Sequence, residues 1–534
     1  MATTTSPAPV RSGPPAPRAP VAGWAAALAG ALAAAVALAL TAVADGFSPR
    51  MPSLVAAVGQ NIIQLTPGWL TREGIEAAGT ADKPILLVTI VVACVALGAR
   101  VGTVAARRPA VAPIGFGVAA LVGVWSTRAV PGTPLLGALV TALVAVAAGV
   151  VTLRLLLAHA PHRTPLAGEG PVARPAAAAD ALERRRFLGL AAGAGAAVAV
   201  FAATGRVLGR AVTDAAQRLG ITLPVAADPV AAPAAGTSLE VAGLSPLVTP
   251  NAEFYRIDAA LQVPVVDLAS WRLGIEGLVD EPLSFSFDDL LAMPLVERHI
   301  TLSCVSNEVG GDLVGTAKWL GVPLPALLER AGIDPSATQV VGRSVDGFTV
   351  AFPLELALDG RDALVAVAMN DEPLPFIHGF PARLVVPGLY GYVSATKWLS
   401  SIELTTDDVD PYWIVRGWAR EGPVKTQSRI DVPRSGDVPA GRTAVAGVAW
   451  APTRGIEAVE VRVDEGRWQE ARLADSLGVD TWRQWVYEWD ATPGEHTIEV
   501  RATDGEGDPQ TGRRVSVFPD GATGHDRIFV TVTS

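Results

Sequence analysis

The sequence predicts an N-terminal α-helical membrane block of about five spans, followed by an α+β domain and then an all-β domain of short strands. Three observations predict it. The 534-residue chain is 50% hydrophobic and only 18% charged, with mean hydropathy +0.36, too apolar for an ordinary soluble protein. Its charge is split, because residues 1–204 carry fifteen Lys and Arg against seven Asp and Glu while the remainder carries 27 against 45. A basic, apolar part is thus joined to an acidic one, and within the acidic part the apolar pattern changes from mixed to strictly short and alternating.

A helix crosses the hydrocarbon core with about 20 apolar residues, since each adds ~1.5 Å and no backbone polar group can stay unpaired in lipid. Residues 21–44, 84–99, 109–127, 129–153 and 187–205 fit that requirement, the second being short but flanked by Lys83 and Arg100, whose side chains can snorkel. Segments 1–20, 100–108 and 155–186 hold ten Lys and Arg, whereas 45–83 and position 128 hold four. This bias puts the N-terminus inside and everything after Gly205 outside. The run Glu183-Arg184-Arg185-Arg186-Phe187-Leu188-Gly189 before the fifth span has the form of a twin-arginine export signal; three arginines also simply obey the positive-inside bias, and both readings export the rest. No histidine lies inside a span and no charge interrupts the middle of one, so a buried haem, a proton relay or an ion path has no carriers there. The block reads as an anchor or docking surface, and a transporter reading is weakened on the same ground.

Residues 206–247 are rich in Ala, Pro and Gly and read as a spacer. Between 248 and 424, strands at 271–278, 297–302, 347–354 and 382–386 alternate with short helices at 287–292 and 324–331, an α+β pattern. From 425 to 534, strands at 444–450, 456–463, 485–489, 496–503 and 527–532 are separated by turn signals such as Asp464-Glu465-Gly466 and Pro493-Gly494. Short strands at such spacing suggest an immunoglobulin-like sandwich.

Two cysteines, Cys94 and Cys304, exclude a disulfide scaffold and any four-cysteine zinc or iron–sulfur site. The acidic half argues against nucleic acid, which needs clustered Lys and Arg. Cys304 ends the apolar strand Ile300-Thr301-Leu302-Ser303 and precedes a loop bearing Gly310 and Gly311, a position where sites are displayed. It can be a small buried hydrophobe, or a thiolate where neighbours stabilise charge. As a nucleophile it would need a base, and no local pattern ties His299 or His378 to it; a soft thiolate suits a heavier metal whose other ligands come from elsewhere.

The run around Cys304, the phrase Asn251-Ala252-Glu253-Phe254-Tyr255-Arg256, and the segment from Met369 through His378-Gly379-Phe380-Pro381-Ala382-Arg383 to Lys397-Trp398-Leu399 together resemble the molybdopterin-binding domain of the sulfite oxidase family. The tail, with Val463-Asp464-Glu465-Gly466-Arg467-Trp468 and Trp489, is similar to that family's immunoglobulin-like dimerisation domain, so the resemblance covers roughly 245–534. It implies a membrane-anchored bacterial-type enzyme carrying molybdenum–molybdopterin. Cys304 would be the catalytic thiolate and molybdenum ligand. Asn251, Phe254 and Tyr255 would contact the pterin, His378 and Arg383 would hold the pterin and its phosphate, and Ser394, Ala395, Thr396 and Lys397 would face the cofactor from a loop. A guanidinium grips phosphate bidentately, which makes physical sense of Arg383.

One departure bears on substrate. Family members that oxidise sulfite follow the cysteine with Gly-Asn-Arg-Arg or similar, whereas here Asn307 is followed by Glu308 and Val309. A glutamate ~4 Å from an oxyanion would cost on the order of 1–4 kcal/mol. The implied function is a two-electron redox reaction, oxygen-atom transfer, on a small molecule at the outer side of the cell membrane. A separate electron-transfer partner is implied because no haem-binding pair or cysteine cluster is fused to the chain. A homodimer follows from the family role of the last domain, and a monomer or a larger complex stays open beside it. The rival class is a membrane-anchored scaffold that keeps the fold without metal.

Overall fold

The computed structural model describes residues 20–47, 53–68, 70, 73–74, 81–130, 133–162, 174–217, 220–407, 409–434 and 436–534. Arg11, Arg18, Arg50, Arg72 and Arg163, used in the charge count above, lie outside them. Two compact units divide the chain: Met1–Gly59 with Lys83–Arg128 and Thr133–Arg210, and Gln60–Asp82 with Ala129–Gly132 and Ala211–Ser534.

The first unit is helical. Helices α1 (Gly23–Phe47), α2 (Leu54–Leu65), α3 (Asp82–Ala105), α4 (Val111–Ser126), α5 (Leu135–Ala158) and α6 (Arg174–Gln217) follow one another. All but α2 belong to an apolar stretch long enough to cross a membrane, that of α4 continuing through a 3₁₀ turn to Ala129 and that of α6 being Ala181–Gly205. α5 starts at Leu135 rather than 129 because Pro134, extended at φ −71° and ψ 127°, occupies its N-cap. α6 runs twelve residues past Gly205 into the stretch read as spacer, since no proline interrupts the chain between Phe187 and Pro224. α1 is the most enclosed helix, and α3 approaches it through glycine: a Cβ on Gly30 would lie 2.1 Å from Gly98 O and 2.8 Å from Gly102 Cα. Outer faces keep large apolar side chains exposed, Leu121, Leu136 and Leu143 among them.

The second unit is rich in β-structure. One mixed sheet has the order β2-β1-β10-β5-β6, formed by β1 (Leu273–Gly277), β2 (Leu283–Phe285), β5 (Gln339–Ser344), β6 (Thr349–Pro353) and β10 (Leu399–Thr405). A second runs β3-β4-β7-β8, from β3 (Val296–Ser303), β4 (Val314–Pro323), β7 (Leu364–Met369) and β8 (Glu372–Pro373), with β9 (Arg383–Val385) also on β7. Both share one core with the helices Phe287–Leu291 and Leu324–Ala331; Trp319, Leu273, Ile300 and Leu384 lie fully inside it. The Phe287–Leu291 helix starts at a capping box, Ser286 Oγ accepting from Asp289 N while the Asp289 carboxylate accepts from Ser286 N.

Beyond Pro423, two further sheets face each other across a separate core of Val445, Val459, Trp485 and Ile498. One has the order β11-β13-β17-β16 and the other β12-β19-β18-β14-β15. Their strands are β11 (Gln427–Val432), β12 (Gly436–Pro439), β13 (Gly441–Trp450), β14 (Ile456–Val463), β15 (Gln469–Glu470), β16 (Arg472–Leu473), β17 (Arg483–Ala491), β18 (Gly494–Asp504) and β19 (Asp526–Thr533).

The remainder of the expected spacer, 221–247, is irregular but tied down. Ala227 N donates to Leu295 O (2.8 Å), Glu297 N to Asp228 O (2.9 Å), Leu239 N to Gln484 Oε1 (2.7 Å) and Ser245 N to Asp431 Oδ2 (3.1 Å). Its polar backbone finds partners on both β-regions, so it packs along them instead of hanging free.

Candidate cofactor site

β3 delivers Cys304 to the end of its sheet. Thr301, buried three residues earlier, accepts at Oγ1 from Trp482 N (2.7 Å) and donates its own N–H to Asp480 O (2.9 Å), which fixes the strand. After Cys304 the chain turns back on itself: Asn307 N donates to Cys304 O (3.0 Å), Cys304 N to Leu313 O (2.9 Å), and Leu313 N to Asn307 Oδ1 (2.8 Å). Cys304 is buried, and its sulfur accepts from Ser306 N–H at 3.4 Å. Burial pushes its thiol up, so the free side chain stays protonated at neutral pH.

Phe254 and Tyr255 come from the loop ahead of β1. Phe254 lies edge-on to Trp319 and to His378 (5.9 and 5.6 Å between centroids) and stacks on Tyr255 (5.1 Å). Burial raises the Tyr255 phenol, so it stays protonated at neutral pH. Its hydroxyl oxygen lies 3.9 Å from where a Cβ on Gly391 would stand.

His378 and Arg383 follow from the short 3₁₀ turn Phe376–His378 and from β9. His378 Nε2 donates to Asn251 O at 2.8 Å, which leaves Nδ1 as an acceptor without partner, and burial lowers the imidazole to about 4. The Arg383 guanidinium sits 5.0 Å over the Trp319 ring, donates once to His378 O (3.1 Å), and has no carboxylate within ion-pair distance among the described residues. Desolvation lowers it to about 10, so the charge persists at neutral pH. Gly379, at φ +111°, lets the chain pass: a Cβ there would be 3.0 Å from Lys397 Cα and 3.2 Å from Arg383 Cβ.

Several expected residues prove to be engaged within the protein. The Asn251 amide donates to Met369 O (3.1 Å) and Glu372 Oε2 (3.4 Å) and accepts from Asn370 (2.8 Å), so it ties the loop down. Lys397 Nζ donates to Asp258 Oδ1 (2.5 Å), Ile377 O (3.1 Å) and Ile257 O (3.4 Å); burial lowers its ammonium to about 8 in spite of that carboxylate. Ser394 Oγ bonds Tyr390 O (3.1 Å) and Ala395 N bonds Gly391 O (3.0 Å), both within their own turn, whereas Thr396 Oγ1 is buried and unpaired. Glu308 is exposed, so its repulsion of an oxyanion at that distance falls at the low end of the expected range, about 1 kcal/mol.

Four buried polar atoms in this region, Asn307 Nδ2, His378 Nδ1, Arg383 Nε and Thr396 Oγ1, have no hydrogen-bond partner. Orphans of this kind are rare in native proteins, and here they include a buried, unpaired cation. Among the described residues no group of three His, Cys, Asp or Glu could hold a metal, so a metal at Cys304 would draw its other ligands from a bound group. These residues fit an anionic, heteroatom-rich cofactor with a metal beside the thiolate.

Known proteins agree with that chemistry. Residues 260–413 match the family model described as oxidoreductase molybdopterin binding domain. The uncharacterised oxidoreductase YuiH of Bacillus subtilis is 36% identical over 156 residues, covering 29% of this chain and 76% of YuiH. The chain belongs to the sulfite oxidase family of molybdopterin oxidoreductases. Its cofactor is accordingly molybdenum–molybdopterin. Human mitochondrial sulfite oxidase is 29% identical over 301 residues, 47% of this chain and 55% of that protein, so the chain spans about half the length of the curated sulfite oxidases it matches. Among solved structures, the sulfane dehydrogenase SoxCD of Paracoccus pantotrophus aligns with TM-score 0.48 and 25% identity over 53% of this chain and 81% of that one.

Sequence reading missed Asp258, Trp319 and Asn307 as members of the site. Only Asn307 carried a local signal, its place three residues after Cys304; Asp258 and Trp319 act through contacts that no spacing announces.

The neutral, buried His378 has a measurable consequence in cofactor-free protein. The unfolded chain takes up a proton near pH 6.5 that the native state refuses until about 4, so stability rises with pH across that window. The rise is on the order of 3 kcal/mol. Unfolding scans at pH 5 and pH 7 should show a smaller gap in His378→Gln than in wild type; an unchanged gap would mean that other groups dominate the acid limb.

Proposed function

We propose that the protein is a membrane-anchored oxidoreductase whose outward-facing β-rich part carries out a two-electron reaction, oxygen-atom transfer, on a small molecule, with a separate partner carrying the electrons. The observation that supports it best is the set of unpaired buried groups in this region, above all the Arg383 cation, which has no carboxylate in ion-pair contact among the described residues. When bound, molybdenum–molybdopterin supplies the two-electron redox chemistry. Cys304 would supply the metal's thiolate, Arg383 would face the cofactor's phosphate, and the unpaired His378 Nδ1 and Thr396 hydroxyl would pair with its polar atoms. Phe254, Tyr255 and Trp319 wall the site with aromatic surface and keep water from the buried charges.

The five apolar helices, with their exposed Leu and Val faces, serve as the anchor, and the arginines at 184–186 mark the inner side of the last one. The proposed divisions are 1–205 for the spans, 206–247 for the connection, 248–424 for the cofactor domain and 425–534 for an immunoglobulin-like domain that pairs two copies of the chain. The twin-arginine-like run would send this part across already folded.

Two measurements test the reading. Purified from a host able to make the cofactor, the full chain is expected to hold about one molybdenum and one pterin; protein devoid of both would leave a scaffold. In sealed vesicles of known orientation, protease added to the outer face should release fragments from residues 220–534. Cleavage of that part from the cytoplasmic face instead would overturn the topology.

A further inference from the structure

We propose that Arg429, on β11 outside the cofactor domain, is a positioning residue for Cys304. The inference rests on the reading of Cys304 as the metal's thiolate ligand.

The loop from Cys304 to Leu313 contains Gly310 and Gly311 and closes on itself through only a few hydrogen bonds, so little within it resists motion. Its outer edge is held from β11. Arg429 Nη1 donates to Gly311 O at 2.8 Å. The same guanidinium is fixed on its other sides: Nε donates to Asp431 Oδ1 (2.7 Å) and Nη2 to Ser245 Oγ (2.8 Å), while Ser245 N donates to Asp431 Oδ2 (3.1 Å). Arg429 is 8% exposed, and a planar fork pinned at two points presents its third donor in one direction only. Beside it, Asp526 accepts from Ile430 N (2.9 Å), and a Cβ on Gly310 would fall 2.4 Å from Asp526 Oδ1, so the loop backbone lies flush against this second support.

From Gly311 the constraint passes inward over short contacts. Gly311 N donates to Glu308 O (2.8 Å), and a Cβ on Gly311 would meet Asn307 Oδ1 at 2.6 Å. Asn307 in turn bonds Leu313 N and Cys304 O, and Ser306 N points at the sulfur. Displacing Gly311 therefore displaces the turn that aims Cys304 and the unpaired Asn307 Nδ2 beside it. Partners one shell out from a metal ligand commonly change metal affinity 10–100-fold, and Arg429 would act one contact further away, through the backbone.

The test uses the full chain in a Cys94→Ser background, so that Cys304 is the sole thiol. In cofactor-free protein, alkylation of Cys304 by iodoacetamide should be about tenfold faster in Arg429→Ala than in the parent, as the loop opens locally. Arg429→Lys, which keeps the charge beside Asp431 but lacks the fork, should fall between them and fold like the parent. Arg442→Ala, which removes an exposed pair with Glu488 on the same sheet, should match the parent. In loaded protein, Arg429→Ala should shift the Mo(V) electron paramagnetic resonance spectrum, with partial return in Arg429→Lys. Parental alkylation rates and parental spectra in both Arg429 variants would overturn the proposal. If the parent itself holds no molybdenum, the functional reading fails, and the alkylation rates still decide whether Arg429 positions the cysteine.

Discussion

Cys304→Ala is expected to keep the pterin and lose the normal metal site. The phosphate grip proposed for Arg383 and the groups around His378 do not involve the sulfur, so the organic part of the cofactor should still be retained on gel filtration. The metal loses a charged donor, and two-electron turnover should fall by at least ~10²-fold, the upper end of what losing even an outer-shell partner costs a metal site. The Mo(V) spectrum should change with it. Because Cys304 is buried and loses only one heavy atom, the cofactor-free variant should be within about 1 kcal/mol of wild type, which separates a chemical from a folding defect. A variant with wild-type spectrum would show that the thiol is merely a buried apolar group. The raised thiol makes a second expectation: loading requires proton loss at Cys304, so incorporation of the metal should slow as pH falls, and Cys304→Ala should lose that dependence.

Much of this was legible because it is local. The five apolar runs appear as long apolar helices, and the strand that ends at Cys304 was read as 297–302 and is Val296–Ser303. Helix ends were misplaced where a proline or its absence decides, as at Pro134 and in α6 beyond Gly205. The sequence reading has no strand at β2, β4, β5, β7, β8, β10, β11, β12, β15 or β16. β4 and β7 are almost wholly buried, so they lack the alternation that betrays a half-buried strand. The site residues Phe254, Tyr255, His378 and Arg383 were legible only through resemblance, since nothing in their spacing says that a loop before β1 meets the start of β9. Roles were harder still. The polar atoms of Asn251 and Lys397 are engaged by Met369, Asn370 and Asp258, which depends on chain segments more than a hundred residues apart. The exposure of Glu308 is likewise a matter of how one turn faces, and charge counted along the sequence cannot show it.

Arg383→Met is expected to move stability and cofactor binding in opposite directions. In cofactor-free protein the guanidinium is buried and charged, with one carbonyl and one aromatic face for company. Its lowering from the ordinary guanidinium value to about 10 corresponds to roughly 3 kcal/mol by which the native state disfavours the charge. The sign follows: the unfolded chain holds the proton more tightly, so stability rises with pH above about 10 as the native guanidinium discharges, and at neutral pH the full penalty applies. Methionine fills similar space without charge, so cofactor-free Arg383→Met should be as stable as wild type or up to about 3 kcal/mol more stable. The phosphate of the bound cofactor would then lie opposite no cation. Truncating one partner of a buried charged pair costs about 2–5 kcal/mol, which is roughly 30- to 5,000-fold in pterin retention. Arg383→Lys restores a point charge but not the fork and should recover part of the binding. A melting temperature that drops in cofactor-free Arg383→Met while pterin retention holds would make this arginine a structural residue and remove the main support for the anionic site.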